Sequence, residues 1–441
     1  MKLHIRNGRL LDPANQMDAM KEIFIADGKV LAIRDSQTLL PNFTADRTID
    51  ATRLMVLPGL VDLSARLREP GYEYKSMLES ETRAAVRGGI TSLVCPPDTR
   101  PVLDEPGLVE MLKYRAKSFN QAHVYPLGAL TVGLRGESLT EMTELTESGC
   151  IGFSQANEPV SNTETLLRAM LYAQTYDYCV WLMPRDAWLG RNGVAHAGLV
   201  ATQLGLAGIP PIAETVALHT IFELARYTGA RVHLCRLSTA RGIALVRAAK
   251  KEGLPVTCDV SSAHIHLTED DIDFFDSSAR ILPPLCAQED RSAIAQALLD
   301  GTVDAICSDH TPVDDDEKLL PFGEATPGAT ALELLLPLTL TWSAAQGTDR
   351  HILSKAVACV TSGPAHILRL PCGNLAPGTI ADICLIDPAA TWQVDPARFV
   401  SQGKHTPFRG KTLTGQVRMT LVEGRVTYDS QSNATPSSPG N

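Results

Sequence analysis

The sequence has no uninterrupted apolar run approaching the roughly 18 residues that a membrane-spanning helix needs. It also has no block of like charges that would form a basic or acidic interaction tail. Acidic residues outnumber basic ones by 50 to 40, which gives a formal net charge of -10. Because such a surface does not attract phosphate backbones or anionic lipids, binding to nucleic acid or to a membrane is not expected.

Paired cysteines are missing as well, since the ten cysteines include no CxxC pair. Most of them lie inside apolar runs, as in Val94-Cys95 and Ala305-Ile306-Cys307. Buried, reduced thiols of this kind are typical of proteins from a reducing compartment. We therefore expect a cytoplasmic protein without disulfides.

Short strands joined by tight turns are predicted at both ends of the chain. Strand-like residues 3–6 are followed by Asn7-Gly8, and residues 22–26 are followed by Asp27-Gly28. Asn-Gly and Asp-Gly supply the positive φ angles that two-residue hairpin turns require. Short strand-like runs occur again in residues 381–386 and in residues 417–428, and a turn at Glu423-Gly424 divides the second run.

These end segments are most simply explained if they pair with each other. We predict one small β-sandwich domain built from residues 1–57 and 372–429. Residues 430–441 are rich in Ser, Pro, Asn and Gly, and by composition they form a disordered tail.

Between these ends, apolar strand-like runs alternate with helical patterns, with a period of about thirty residues. Eight β/α alternations predict a closed (β/α)₈ barrel over residues 58–371 rather than an open doubly wound sheet. The predicted barrel strands are residues 60–63, 91–95, 124–130, 150–153, 178–183, 232–237, 256–260 and 305–308.

Three motifs stand at the ends of predicted barrel elements. They are Leu67-Arg68-Glu69-Pro70-Gly71, Arg87-Gly88-Gly89-Ile90-Thr91 and Ser308-Asp309-His310-Thr311-Pro312. Together they resemble the dihydroorotases of the amidohydrolase superfamily, and the resemblance continues in order through residues 332–337, 373–382 and 406–410. Hydantoinases share the expected architecture, but the Leu-Arg-Glu-Pro-Gly turn favours the dihydroorotases.

The resemblance implies one or two zinc ions held at the carboxyl ends of the barrel strands. The ligands would be a His-x-His pair, an Asp after Phe-Ser, one His at the end of the fifth strand, a second at the end of the sixth, and an Asp after the eighth. At these positions the chain has Ser64, Arg66, Gln155, Met183, Arg236 and Asp309. Only Asp309 matches, although the first His of the sixth-strand His-x-x-His pattern is kept as His233.

The positions that would bind the substrate also depart from the family pattern. Arg68, which the resemblance assigns to the substrate carboxylate, is kept. An Asn of the second strand is replaced by Asp98, an Asn before Pro-Pro by Leu282, and a His after Asp-His-x-Pro by Val313.

These replacements predict that the site does not hold zinc. A catalytic zinc ion needs about three ligands with N, S or carboxylate O donors and one open position for water. A guanidinium group has no lone pair to offer, and Met thioethers and Gln amides are poor ligands for such an ion. We expect no catalytic residue and no cofactor. A buried carboxylate needs a partner, so Arg66 or Arg236 is predicted to pair with Asp309.

The resemblance suggests a function without catalysis. Some bacteria carry an inactive dihydroorotase homologue that assembles with aspartate carbamoyltransferase and supports pyrimidine biosynthesis. The leading hypothesis is such a scaffold subunit, working as a hetero-oligomer or homo-oligomer.

Two alternatives remain open. One is an active cyclic amidohydrolase whose relocated metal site uses His233, His264, His266 or Asp309. His264 and His266 would share one strand face if the seventh strand continued through them. The other is a sensor that binds a carboxylate ligand through Arg68 without performing chemistry. His310 is expected to form hydrogen bonds in the barrel mouth.

Overall fold

The computed structural model describes residues 1–36, 38 and 40–431. Its strands are β1 (Lys2–Asp12), β2 (Met17–Ala26), β3 (Lys29–Asp35), β4 (Arg47–Asp50), β5 (Met55–Pro58), β6 (Leu60–Asp62), β7 (Ile90–Cys95), β8 (His123–Pro126), β9 (Gly128–Ala129), β10 (Phe153–Ser154), β11 (Cys179–Leu182), β12 (Ala195–His196), β13 (Gly208–Ile209), β14 (Arg231–Leu234), β15 (Val256–Ser261), β16 (Ala305–Cys307), β17 (Ile383–Gln393), β18 (Thr412–Val422) and β19 (Arg425–Asp429).

The α-helices are α1 (Leu78–Arg87), α2 (Pro106–Ser118), α3 (Met142–Glu147), α4 (Thr163–Thr175), α5 (Leu199–Leu204), α6 (Ile212–Thr228), α7 (Ala240–Glu252), α8 (Gln288–Asp300), α9 (Asp315–Lys318), α10 (Leu335–Gln346), α11 (Arg350–Ala358) and α12 (Ser362–Leu368). Short 3₁₀ helices span Pro13–Asn15, Val132–Leu134, Glu269–Ile272, Ser277–Ala279, Leu332–Leu334 and Pro396–Arg398. Among the described residues, no helix combines the length and the apolar character that crossing a bilayer requires.

Strands from both ends of the chain share one hydrogen-bonded sheet. Its order is β19-β18-β17-β5-β1-β2-β3, and β4 pairs with β1. β5 lies parallel to β1 and antiparallel to β17, so it joins the N-terminal strands to the C-terminal ones. It ends at Pro58, one residue beyond the predicted boundary. Most of the predicted tail, residues 432–441, lies outside the described residues.

One of the predicted hairpin turns is wrong. Asn7 does have a positive φ of 60°, but Asn7 and Gly8 lie inside the continuous strand β1. The pairing of β1 with β2 shifts register between Ile5 and Gly8, which identifies an irregularity of the bulge type rather than a turn. The turns at Asp27-Gly28 and Glu423-Gly424 are confirmed.

The predicted (β/α)₈ barrel is confirmed. Its strands are β6, β7, β8 continued by β9, β10, β11, β14, β15 and β16, and neighbours in this order pair in parallel. The ring closes where the Arg66 N–H donates to the His310 carbonyl at 2.8 Å and the His310 N–H donates to the Ser64 carbonyl at 3.1 Å. The strands are almost completely buried, as expected for a parallel sheet covered by helices.

Local signals position the helices around this ring. The Thr239 hydroxyl accepts the Gly242 N–H at the start of α7, and Gly253 ends the helix with a φ of +92°. A hydroxyl at the first position and a glycine in the left-handed region after the last turn are the usual start and stop of such a helix. The buried face of α7 includes Ile243 and Val246, which pack into the main hydrophobic core.

A buried pair ties α1 to the closing strands of the barrel. His310 Nε2 lies 2.7 Å from Glu81 Oε2, and neither side chain is exposed. His310 Nδ1 accepts the Ala331 N–H at 3.2 Å, so the expected hydrogen bonds of His310 are confirmed. Burial opposes ionisation of Glu81, but the hydrogen bond and charge of His310 lower its pKa below the ordinary value.

Removing Glu81 should therefore destabilise the fold strongly. We expect Glu81→Ala to lower the free energy of unfolding by about 3–5 kcal/mol, because it leaves a buried imidazole without its partner. Urea denaturation at neutral pH measures this loss. The matched control is Arg226→Ala, which breaks an exposed pair with Glu252 and should cost less than about 1 kcal/mol. Equal losses in the two variants would contradict this role for the pair.

Candidate functional site

The carboxyl ends of the barrel strands bring most of the predicted site residues together. Ser64 and Arg66 follow β6, Met183 follows β11, Arg236 follows β14 and Asp309 follows β16. The first four are buried, and the side chain of Asp309 is 9% exposed. The barrel mouth is therefore filled by side chains of the chain itself.

Asp309 is the anion on which this cluster converges. Arg236 Nη1 donates to Asp309 Oδ1 at 2.8 Å, which confirms the predicted pairing of an arginine with this carboxylate. Arg66 Nη1 lies 3.5 Å from the same oxygen, and the Ser64 hydroxyl donates to it at 3.5 Å. Burial alone would lower the pKa of Arg236, but the charge of Asp309 raises it above the ordinary value.

Arg66 has a second carboxylate partner. Its Nε donates to Asp98 Oδ2 at 2.7 Å, and its Nη1 donates to the Thr311 hydroxyl at 3.1 Å. Although burial acts to raise the pKa of Asp98, the charge and hydrogen bond of Arg66 lower it overall. The replacement of Asn by Asp at position 98 thus supplies a charge that Arg66 requires.

An amide that sequence reasoning missed joins the two arginines. Asn157 Oδ1 accepts from Arg66 Nη2 at 2.9 Å and from Arg236 Nη2 at 2.6 Å. Gln155, which was predicted to occupy this place, turns away and binds the Thr131 hydroxyl and the Leu134 carbonyl. The polar side chain that reaches the two arginines from the loop after β10 is therefore two residues further along the chain than the motif indicated.

The backbone is unusual at the same place. Arg68, Arg236 and Asp309 adopt positive φ angles of 65°, 55° and 50°. Side chains with a Cβ rarely occupy this region, and such strain persists only where the surroundings hold it. At Arg236 the holding contact is a hydrogen bond of 2.7 Å from its backbone N–H to Asp259 Oδ1. These backbone conformations at the strand ends direct the side chains into the barrel mouth.

These donors do not fit a zinc ion. Two of the nearest groups are protonated guanidiniums, which offer no lone pair, and Arg236 Nη2 lies 3.3 Å from the Met183 sulfur. Asp309 is the surviving carboxylate, and its Oδ1 already accepts from Arg236. A dication bound by Asp309 would meet two positive charges, those of Arg236 at 2.8 Å and Arg66 at 3.5 Å from the same carboxylate oxygen.

The residues matched to the substrate site are spread around the mouth. Arg68 Nε donates to the Pro312 carbonyl at 2.9 Å, and its guanidinium lies 6.0 Å from the centre of the Tyr72 ring. Burial, followed by the charge of Arg66, lowers the pKa of Arg68. Val313 is buried, and Leu282 lines a small cavity that Met183 also lines.

The rival metal pair does not assemble. His264 and His266 lie in a turn, because β15 already ends at Ser261, so the assumption that they share a strand face is wrong. His264 bonds the Ser261 hydroxyl and the Pro284 carbonyl, while His266 bonds the Leu338 carbonyl. Burial lowers the pKa of His264, and it lowers the pKa of His266 to about 4. Among the described residues, neither histidine belongs to a group of three potential metal ligands.

His233, which forms a group of potential metal ligands with Cys235 and Asp259, is engaged by hydrogen bonds at both ring nitrogens. Its Nδ1 lies 2.9 Å from the Thr257 hydroxyl, and its Nε2 lies 2.9 Å from Asp259 Oδ2. The ring is fully buried and packs against Trp181, with ring centres 4.2 Å apart. It positions Asp259, which in turn holds the backbone of Arg236.

The charge cluster predicts that substitutions of Asp309 and Arg236 have coupled effects on the free energy of unfolding. Asp309→Ala leaves two buried guanidiniums without their shared anion and should lower the free energy of unfolding by about 3–5 kcal/mol. In an Arg236→Met background the same change should cost at least about 1 kcal/mol less, because one of those charges is absent. Urea denaturation of the four proteins measures the coupling.

The matched control for this cycle is Asp300→Ala, which breaks an exposed pair with Arg247. It should cost less than about 1 kcal/mol. Additive effects of the Asp309 and Arg236 substitutions would contradict the pairing described above.

Comparison with known proteins agrees with this architecture. A family model described as dihydro-orotase-like matches residues 53–241, and an amidohydrolase family model matches residues 184–428. The solved structures of an L-hydantoinase from Arthrobacter aurescens and a dihydropyrimidinase from Brevibacillus agri superpose with TM-scores of 0.84 and 0.81. They are 23% and 21% identical, covering 97% of this chain and 96% and 95% of theirs, so the likeness concerns the fold.

Curated relatives are more similar in sequence. The chain is 43% identical to the dihydroorotase-like protein of Pseudomonas aeruginosa, over 97% of this chain and 100% of that protein. It is 41% identical to the dihydroorotase of Syntrophotalea carbinolica, over 97% of this chain and 99% of that protein. These identities extend over the whole barrel and the terminal sheet. The chain therefore belongs to the dihydroorotase-like proteins of the amidohydrolase family.

Proposed function

We propose that this chain is a non-catalytic, dihydroorotase-like subunit that supports the assembly of aspartate carbamoyltransferase in pyrimidine biosynthesis. The observation that carries the proposal is the contact of Arg236 with Asp309, at 2.8 Å, in the place where the family holds its metal ions. An ion pair in that place stabilises the barrel mouth but does not activate water.

The chemistry of the mouth supports the absence of turnover. Opening a cyclic amide requires a nucleophile, and a metal-bound water becomes one because the ion lowers its pKa towards neutrality. A guanidinium cannot replace the ion in this role, because it binds water only through donated hydrogen bonds. The Asp309 carboxylate is already engaged by Arg236 at 2.8 Å and approached by Arg66 at 3.5 Å.

The surface supports a partner role. Trp188, Phe274 and Leu319 are 70%, 84% and 80% exposed, and each lies in a loop that follows a barrel strand. Such loops converge on the carboxyl face of the barrel. Large exposed apolar side chains grouped on one face are typical of protein contact surfaces. The identity of the partner rests on the family resemblance of the sequence.

Co-expression with aspartate carbamoyltransferase from the same source tests the proposal. We expect the two chains to co-elute in size-exclusion chromatography and the transferase to lose activity or solubility when expressed alone. Independent elution, together with unchanged transferase activity, would contradict the scaffold role.

The same experiment can locate the contact. The double variant Trp188→Asp and Phe274→Asp should weaken co-elution, because it places charges on the carboxyl face. Tyr227→Asp is the matched control, since Tyr227 is 76% exposed at the far end of α6.

A second candidate function is binding of a carboxylate ligand without chemistry. The mouth contains the guanidiniums of Arg66, Arg68 and Arg236, and the carboxylates of Asp98, Asp309, Asp259 and Glu317 act on them. Among the described residues, the terminal nitrogens of Arg68 have no hydrogen-bond partner, since only its Nε is engaged. These unused donors of Arg68 favour a small anion over a cation.

Thermal unfolding in the presence of carbamoyl aspartate tests this second candidate. Saturable binding should raise the melting temperature of the unmodified protein and should not raise that of Arg68→Met. Arg226→Met, on the barrel surface, should respond like the unmodified protein. No shift at saturating ligand would remove this candidate and leave the scaffold proposal intact.

A further inference from the structure

A group of potential metal ligands lies beside the barrel mouth and belongs to none of the functions above. His196 is in β12, in the segment between β11 and α6, and Cys286 precedes α8. Asp290 lies in the first turn of α8. One ligand atom from each of these three residues lies within 4.8 Å of the other two. Two separate segments of the chain, one with His196 and one running from Cys286 into α8, therefore bring N, S and O donors close together.

A fourth potential ligand is buried beside them without a partner. Glu269, after β15, is 8% exposed, and its Oε2 has no hydrogen-bond partner among the described residues. Its carboxylate acts electrostatically on His196 and Asp290, and its backbone N–H donates to the Cys286 carbonyl at 2.8 Å. A Cβ at Gly198 would lie 2.4 Å from Oε2, so the glycine permits this close approach.

The side chains leave donor atoms available. The His196 ring is 94% buried, and among the described residues it forms no hydrogen bond; it lines the small cavity that Cys286 also lines. Asp290 accepts the Ala240 N–H at 2.7 Å and the Ala287 N–H at 3.1 Å, one bond to each oxygen. Each carboxylate oxygen has a second lone pair, and these backbone bonds fix the orientation of the group.

We propose that His196, Glu269, Cys286 and Asp290 bind one divalent transition-metal ion of the zinc class. Imidazole, thiolate and carboxylate are the ligands that zinc uses, and four of them complete a tetrahedron. Bond lengths near 2.0–2.3 Å place the ligands of one zinc ion roughly 3.3–3.8 Å apart. The donor atoms of His196, Cys286 and Asp290, which lie within 4.8 Å of one another, must therefore move closer, and the Glu269 carboxylate must move in from outside that group. Binding would release to solvent the thiol proton of Cys286, which donates to the Pro284 carbonyl at 3.3 Å.

Four protein ligands leave no open position for water, so the site is structural. It would join the segment after the fifth barrel strand to the loop after the seventh strand and to the start of α8. Its ligands are separate from Arg66, Arg236 and Asp309, so it does not restore chemistry to the barrel mouth.

Cobalt(II) titration of the full, metal-stripped chain tests the proposal. We expect one cobalt ion per chain, tetrahedral ligand-field bands, and a near-ultraviolet thiolate-to-cobalt charge-transfer band that zinc abolishes by displacement. Cys286→Ser should abolish the charge-transfer band, and His196→Ala should lower the apparent cobalt affinity by more than about 100-fold.

Two control variants test whether the cobalt signal comes from the proposed site. Cys235→Ser alters the other group of potential ligands, formed with His233 and Asp259, and should leave the band unchanged. Asp309→Asn alters the barrel mouth and should also leave it unchanged. Far-ultraviolet circular dichroism of each metal-free variant shows whether it folds, and Glu269→Gln, a milder change, should weaken cobalt binding without unfolding. Absence of cobalt binding, or a band that persists in Cys286→Ser, would overturn the proposal.

Discussion

The ion pair between Arg236 and Asp309 is the interaction on which the barrel mouth depends. Asp309 Oδ1 receives Arg236 at 2.8 Å, and Arg66 approaches the same oxygen at 3.5 Å. A buried charge without a partner is strongly destabilising, so each member of this cluster requires the others. The second acid, Asp98, and the shared amide of Asn157 follow from that requirement, because two guanidiniums side by side need more acceptors than one carboxylate provides.

The scaffold around the cluster is that of an amidohydrolase, and it is retained in detail. The ring of parallel strands is closed by backbone hydrogen bonds between His310 and residues 64 and 66. The buried pair of His310 with Glu81 holds α1 against this part of the barrel. The same strand ends that would present metal ligands still aim side chains into the mouth, with positive φ angles at Arg236 and Asp309. In this chain the side chains at those strand ends form an ion-paired cluster.

Much of the fold could be predicted from the sequence, because buried parallel strands read as regular apolar runs between helical patterns. The approach of an arginine to Asp309 could also be predicted, since a buried carboxylate needs a positively charged partner. Asn157 could not, because motif spacing counts residues and does not show how a loop turns after β10. The strand assumed for His264 and His266 failed for the same reason. The group around His196 and Cys286 brings together residues 90 positions apart, and only the closed barrel shows that they meet.

The barrel mouth holds an ion pair between Arg236 and Asp309, and we propose that a mouth filled in this way does not open a cyclic amide. The most direct test of this proposal is the rate of dihydroorotate ring opening by the purified chain, with zinc and after metal removal. We predict no zinc-dependent turnover above that of an Asp309→Asn variant purified in the same way. A zinc-dependent rate that this substitution abolishes would contradict the account.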